Sequence, residues 1–184
     1  MNWYCRVFRT CSLPPGGKIL AVLSLSVLTF LPACSVNQQV RAPDQEAMIL
    51  AAEKKAPEDG RRILETGRDM ALRKREILPG SCWDWINAVF NRAGFPAKNR
   101  KTLFKTAKKG PYADPKLILP GDWLYYVNHS YGNIEHSGIF VDWVSRGSKE
   151  ALILSYGGEQ RKEPGRYRPY DLSSVYTILR PVSR

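Results

Sequence analysis

An α+β domain is the fold class this sequence predicts, and three observations predict it. Up to about Phe95, apolar residues recur at helical spacing. From Leu119 onward the pattern changes to short runs rich in Val, Ile, Tyr and Trp, bounded by Gly, Pro and Asn. The two patterns occupy separate halves of the chain instead of alternating, which argues for segregated helices and a mostly antiparallel sheet.

The first 34 residues fall outside that fold. Arg6, Arg9 and Lys18 precede an apolar run from Ile19 to Leu31. That run is short for a membrane span and has the length of a signal peptide's apolar region. It ends in Leu31-Pro32-Ala33-Cys34, which resembles the lipobox of bacterial lipoproteins. The resemblance implies cleavage after Ala33, an acyl anchor (palmitate among its chains) on Cys34, and attachment to a membrane through that lipid. With Ser35 rather than Asp following, it implies the outer membrane facing the periplasm, or the cell membrane in a single-membrane organism. An ordinary secretory signal or an uncleaved anchor is the alternative.

Cleavage and lipidation at that point would also settle the thiol inventory. Cys5 and Cys11 leave with the signal and Cys34 carries lipid, so Cys82 is the one thiol left in an oxidising compartment. The full chain carries +11, and the mature chain +8, because the signal holds three basic residues and no acid. Such a surface favours anionic surroundings such as lipid head groups or wall carboxylates. An exported chain of this kind is not expected to meet nucleic acid.

Residues 35–43 read as a tether. Asp44 is placed to cap a helix running to Ala56, where Pro57 stops it. A second helix is expected from Glu58 to Glu76, with Ile63, Gly67, Met70 and Ala71 on one face. Together residues 44–77 form a helical N-terminal extension. After the breaker Leu78-Pro79-Gly80-Ser81, a third helix places Cys82, Trp85, Ile86, Val89, Phe90 and Ala93 on one apolar stripe and ends at Gly94. Residues 98–109 are strongly basic, and Leu103, Phe104 and Ala107 hint at a short amphipathic helix. Strands are expected at Trp123–Val127, His136–Val144, Ala151–Tyr156 and Val175–Leu179, with residues 157–171 as a polar loop.

Cys82 stands at or near the first position of the third helix. Free backbone N–H groups and the helix dipole favour a thiolate there, which makes Cys82 a candidate nucleophile; a small core residue is the alternative. A thiol hydrolase needs a base, and the chain has two histidines, His129 in a loop and His136 at the head of a strand. The strand position suits His136 to the task, although a satisfied strand histidine fits the residues equally well. One thiol and two dispersed histidines lack metal-ligand spacing, and no phosphate or dinucleotide loop is present, so no cofactor or metal is expected.

Three blocks, in order, resemble the NlpC-type cell-wall cysteine peptidases, a papain-like family. They are Ser81-Cys82-Trp83-Asp84-Trp85, Leu119-Pro120-Gly121-Asp122-Trp123-Leu124-Tyr125-Tyr126, and His136-Ser137-Gly138-Ile139-Phe140-Val141. Arg100-Lys101-Thr102 sits where the family often has a similar segment. Here Ser81 precedes the cysteine and Trp83-Asp84 follows it, where family members often carry Asp and Ser-Gly.

The resemblance implies a papain-like domain over residues 78–184, with the sheet packed on the nucleophile-bearing helix. It implies that Cys82 is the nucleophile, His136 the base and Ser155 the residue orienting that base, with Tyr156 and Glu159 as fallbacks. The implied activity is cleavage of an amide bond in the peptide stem of peptidoglycan through a thioester, with peptidoglycan as partner. Trp83 and Tyr125 are candidate substrate contacts, although such aromatics also build cores. Two rival readings stay open: a non-catalytic wall- or partner-binding lipoprotein, and an acyltransferase on a papain-like fold. In the permuted acyltransferases His precedes Cys, whereas here Cys82 precedes His136.

Overall fold

Apolar residues at helical spacing open the described part of the chain. The computed structural model describes residues 42–183; Cys34, the lipobox-like segment and the run expected to be a signal lie outside the described residues. Helix α1 covers Ala42–Lys55, and α2 covers Glu58–Arg68 and runs on into a π-helical turn, Asp69–Arg73. Pro57 separates them. Asp44 lies inside the first turn of α1 rather than capping it, since the helix begins two residues earlier; its charge still suits the positive helix end. Buried Glu53 accepts two hydrogen bonds from Arg68, at 2.7 and 3.1 Å, which tie α1 to α2.

Helix α3 covers Cys82–Arg92. Ser81 is its N-cap: the Ser81 hydroxyl accepts the Trp83 N–H at 3.2 Å, and the Asp84 carboxylate accepts the Ser81 N–H at 2.7 Å. This reciprocal arrangement satisfies two otherwise orphaned donors and starts the helix at Cys82. At the other end Gly94 adopts φ +93°, and the Phe95 N–H returns to the Phe90 carbonyl at 2.8 Å. Trp85, Ile86, Val89 and Phe90 are fully buried.

The sheet has six strands: β1 Arg100–Lys105, β2 Trp123–Asn128, β3 Ile134–Ser145, β4 Glu150–Ser155, β5 Arg166–Asp171 and β6 Val175–Pro181. Their order is β1-β6-β2-β3-β4-β5 and every pairing is antiparallel. The molecule is therefore α+β with a segregated antiparallel sheet. One face carries Trp123, Ile139, Val141, Leu152 and Leu154 and packs on all three helices. The opposite face carries Leu124, Tyr126, Phe140, Ile153 and Ile178 and forms a second apolar cluster. Among the described residues no helix is long and apolar enough to cross a membrane.

Two expectations are corrected. Residues 100–105 form strand β1, not an amphipathic helix, and residues 166–171 form strand β5 inside the expected loop. Both are sheet edges. Edge strands carry charge and tolerate proline, which is how Pro169 sits in β5, and these features hide a strand's signal. In β1 a bulge between Thr102 and Phe104 also breaks the two-residue alternation.

The Leu119-Pro120-Gly121-Asp122 block builds a turn that locks β2 to the rest of the fold. Buried Asp122 accepts the Leu119 N–H at 2.8 Å and a two-pronged pair from Arg180, at 2.8 and 2.7 Å. Gly121 has φ +93° and its Cα packs directly on Gly60 of α2; a Cβ on either glycine would overlap the other segment's backbone.

Candidate active site

Cys82 occupies the first turn of α3, half-buried, with no disulfide partner among the described residues. At that position its own N–H has no intrahelical acceptor. The turn before it is clamped from the far side of the site. The Tyr156 hydroxyl donates to the Leu78 carbonyl at 2.7 Å, and the Glu159 N–H donates to the Gly80 carbonyl at 2.9 Å. Tyr156 also stacks on Trp85, 5.9 Å between ring centres. The two fallback residues for the third catalytic position thus anchor the segment leading to Cys82.

A cleft of about 660 Å³ opens where β3 begins and β4 ends. Ser81 and Cys82 line it, as do His136, Tyr170 and the arginines Arg161, Arg166 and Arg168. Cys82 and His136 therefore share one cleft. They reach it from different faces of β3, because side chains alternate along a strand. His136 pairs with Tyr126 and shares the face of Phe140, whereas Ser137 pairs with Tyr125 and faces α3 with Ile139. The group that meets the Cys82 sulfur is the Ser137 hydroxyl, at 3.6 Å. Among the described residues no hydrogen bond joins the imidazole to the sulfur.

His136 instead lies between two phenol rings. Tyr126 approaches edge-on at 5.7 Å and Tyr170 tilts against it at 5.7 Å. Burial pushes the His136 pKa down to about 4, and the positive charges of Arg166 and Arg161 push it the same way. The imidazole is consequently neutral at pH 7. Neutral imidazole can accept a proton, although a pKa this far below neutrality makes it a weak base.

The remaining expected site residues are placed as follows. Ser155 is buried on the His136 face of β4, and its hydroxyl pairs with Tyr170 Oη at 3.3 Å, not with the imidazole. Trp83 is 45% exposed, packs 5.8 Å from Trp123 and does not line the cleft. Tyr125 is half-buried, stacks on Trp123 at 5.5 Å and is also outside the cleft lining. His129 sits in the turn after β2, its Nδ1 paired with Asn133 Oδ1 at 2.8 Å.

Ser137, Tyr170 and the three arginines are site residues that the sequence reading missed. Ser137 was visible inside the His136 block, one position from the histidine, and strand alternation alone would have pointed it at the opposite face. The others stand on or beside β5, an edge strand read as a loop. Arg100, from the expected family-like segment, has a structural place: it donates to Phe95 O, Asn87 Oδ1 and Asn91 Oδ1 at 2.7–2.8 Å and lies over the Phe90 ring. No family model, curated protein or solved structure matches this chain.

Proposed function

We propose that this protein is a papain-like thiol hydrolase of NlpC type, which cleaves an amide bond in the peptide stem of peptidoglycan. The observation that carries the reading is one cleft holding both a capped helix-start cysteine and a neutral histidine. The residues of the family-like blocks support it, in their order along the chain. The lipobox-like Cys34 supports an exported, membrane-tethered enzyme, and the basic composition suits an anionic wall.

In this reading the Cys82 sulfur attacks the amide carbonyl and its proton passes to His136. The Cys82 backbone N–H stabilises the developing oxyanion. Protonated His136 gives its proton to the leaving amine, and a water activated by the same imidazole then hydrolyses the thioester. Tyr126 and Tyr170 hold the ring, with Ser155 steadying Tyr170, so Ser155 is a positioning residue at one remove. In this reading the proton crosses the cleft through one bridging water, because the sulfur itself meets the Ser137 hydroxyl.

One observation favours a second reading. The sulfur is met by Ser137 rather than by the imidazole, which suits a binding lipoprotein whose thiol does no chemistry. Digestion of purified peptidoglycan, with fragments read by mass spectrometry, decides between them. The hydrolase reading expects wild-type protein to release stem-peptide fragments and Cys82→Ala to release none while keeping its circular dichroism spectrum. Absence of fragments from several wall chemotypes, with Cys82 inert to iodoacetamide, would establish the binding reading instead.

A further inference from the structure

The wall of the cleft opposite Cys82 is basic in a way that the proposed chemistry does not use. Arg166 and Arg168 alternate with Tyr167 along β5, so both stand on the face shared with Tyr170, Ser155 and His136; the register pairs Arg166 with Ser155. Arg161 comes from the short 3₁₀ turn after β4, Glu159–Arg161, and lies over the Tyr131 ring at 5.9 Å. All three line the cleft.

Their counter-charges are incomplete. Arg166 Nη1 meets Glu163 at 2.9 Å, but Arg166 Nε is buried and has no hydrogen-bond partner among the described residues. Arg161 and Arg168 are exposed and make no ion pair among the described residues. Two carboxylates also line the cleft. Glu135 is taken by Lys108 and by the Tyr176 hydroxyl at 2.5 Å, which leaves Glu159 as the one acid there outside an ion pair among the described residues. The cleft thus offers a surplus of guanidinium donors beside the histidine. Guanidinium forks match planar carboxylates, and a buried unpaired N–H gains most from such a partner.

We propose that Arg161, Arg166 and Arg168 bind a carboxylate of the substrate, so that the site selects acidic peptides over their amidated equivalents. The proposal rests on the hydrolase reading for its substrate class, and it adds to that reading the group that orients the peptide. Occupation by an anion would also offset the positive charge of Arg161 and Arg166 that faces His136. The base then gains proton affinity when the correct substrate arrives.

Binding to the full-length Cys82→Ala protein tests this without turnover. The probes are L-alanyl-γ-D-glutamyl-L-lysine and the same peptide with its glutamate α-carboxylate converted to carboxamide, titrated calorimetrically. The acidic form is expected to bind about tenfold more tightly, the scale of a charge-assisted bidentate contact. Adding Arg168→Gln or Arg161→Gln, at exposed positions that the fold tolerates, reduces the preference; adding Arg166→Gln abolishes it, and Arg166→Lys restores part.

Equal affinity for the two peptides, or a preference untouched by all three substitutions, would overturn the proposal. Displacement of the acidic peptide by inorganic phosphate far more readily than by glutarate would assign the arginines to a phosphorylated ligand and overturn it too. Selective binding without any cleavage by the unsubstituted protein would sustain this proposal while removing the hydrolase reading. Cleavage without selectivity would do the reverse.

Discussion

His136 carries a consequence that reaches beyond its role in the cleft. Its pKa is pushed down to about 4, from an ordinary 6.5, chiefly by burial. Between those values the unfolded chain binds more protons at this site than the folded one, so stability falls as pH drops from 6.5 toward 4 and is unaffected above that window. The full shift corresponds to roughly 3 kcal/mol at most. Urea denaturation midpoints measured from pH 7 to pH 4 should decline, and His136→Gln should flatten the part of the decline above pH 4. An unchanged slope in the variant would mean that the imidazole protonates freely and is less enclosed than its neighbours imply.

At the scale of elements, the start of α3 controls where Cys82 sits. Ser81→Ala removes the acceptor of the Trp83 N–H and the hydroxyl partner of Asp84, at a cost of about 1 kcal/mol, the usual value of an N-cap. Thermal melts should show that loss. If the cap also positions the thiol, the rate of Cys82 alkylation should change in the same variant, which a purely global loss of stability would not produce under native conditions. The contact of α2 with the Gly121 turn is stricter. Gly60→Ala drives a Cβ into the Pro120 carbonyl, a backbone group that cannot swing aside, so a loss of several kcal/mol is expected. A melt within a degree or two of wild type would show that α2 can shift.

For the molecule as a whole, the helices before residue 78 share one core with the sheet. Ile63, Leu64, Met70 and Ala71 are buried against α3 and the inner sheet face, and Ile49 and Ala52 of α1 join them. A chain beginning at Leu78 would expose the partners of all six. At about 1.5–3 kcal/mol for each large apolar side chain buried, that loss rivals the whole 5–15 kcal/mol that stabilises a typical domain. Such a truncated chain is expected to lose its near-ultraviolet circular dichroism and to bind a hydrophobic dye. Cooperative unfolding of the truncated chain would instead define residues 78–184 as self-sufficient.

Residue patterns made much of this legible. The Cys82–Ala93 stripe, the Gly94 stop and the aromatic run at Trp123 each carry a local signal strong enough to survive without context. The class of fold followed from them, because helical and strand periods fell in separate halves. The edges of the sheet were illegible for a physical reason: Arg100–Lys105 and Arg166–Asp171 are charged, and one holds a bulge and the other a proline, features that edges tolerate and interiors do not.

Local pattern was enough to show that Cys82 begins a helix and that a histidine stands in a central strand. Tertiary structure alone decided what each of them faces. Alternation along β3 turned Ser137, not His136, toward the sulfur, and pairing with β5 brought three arginines to the histidine's side of the cleft. Strand register and edge pairing are contacts between distant residues, and no local pattern encodes them.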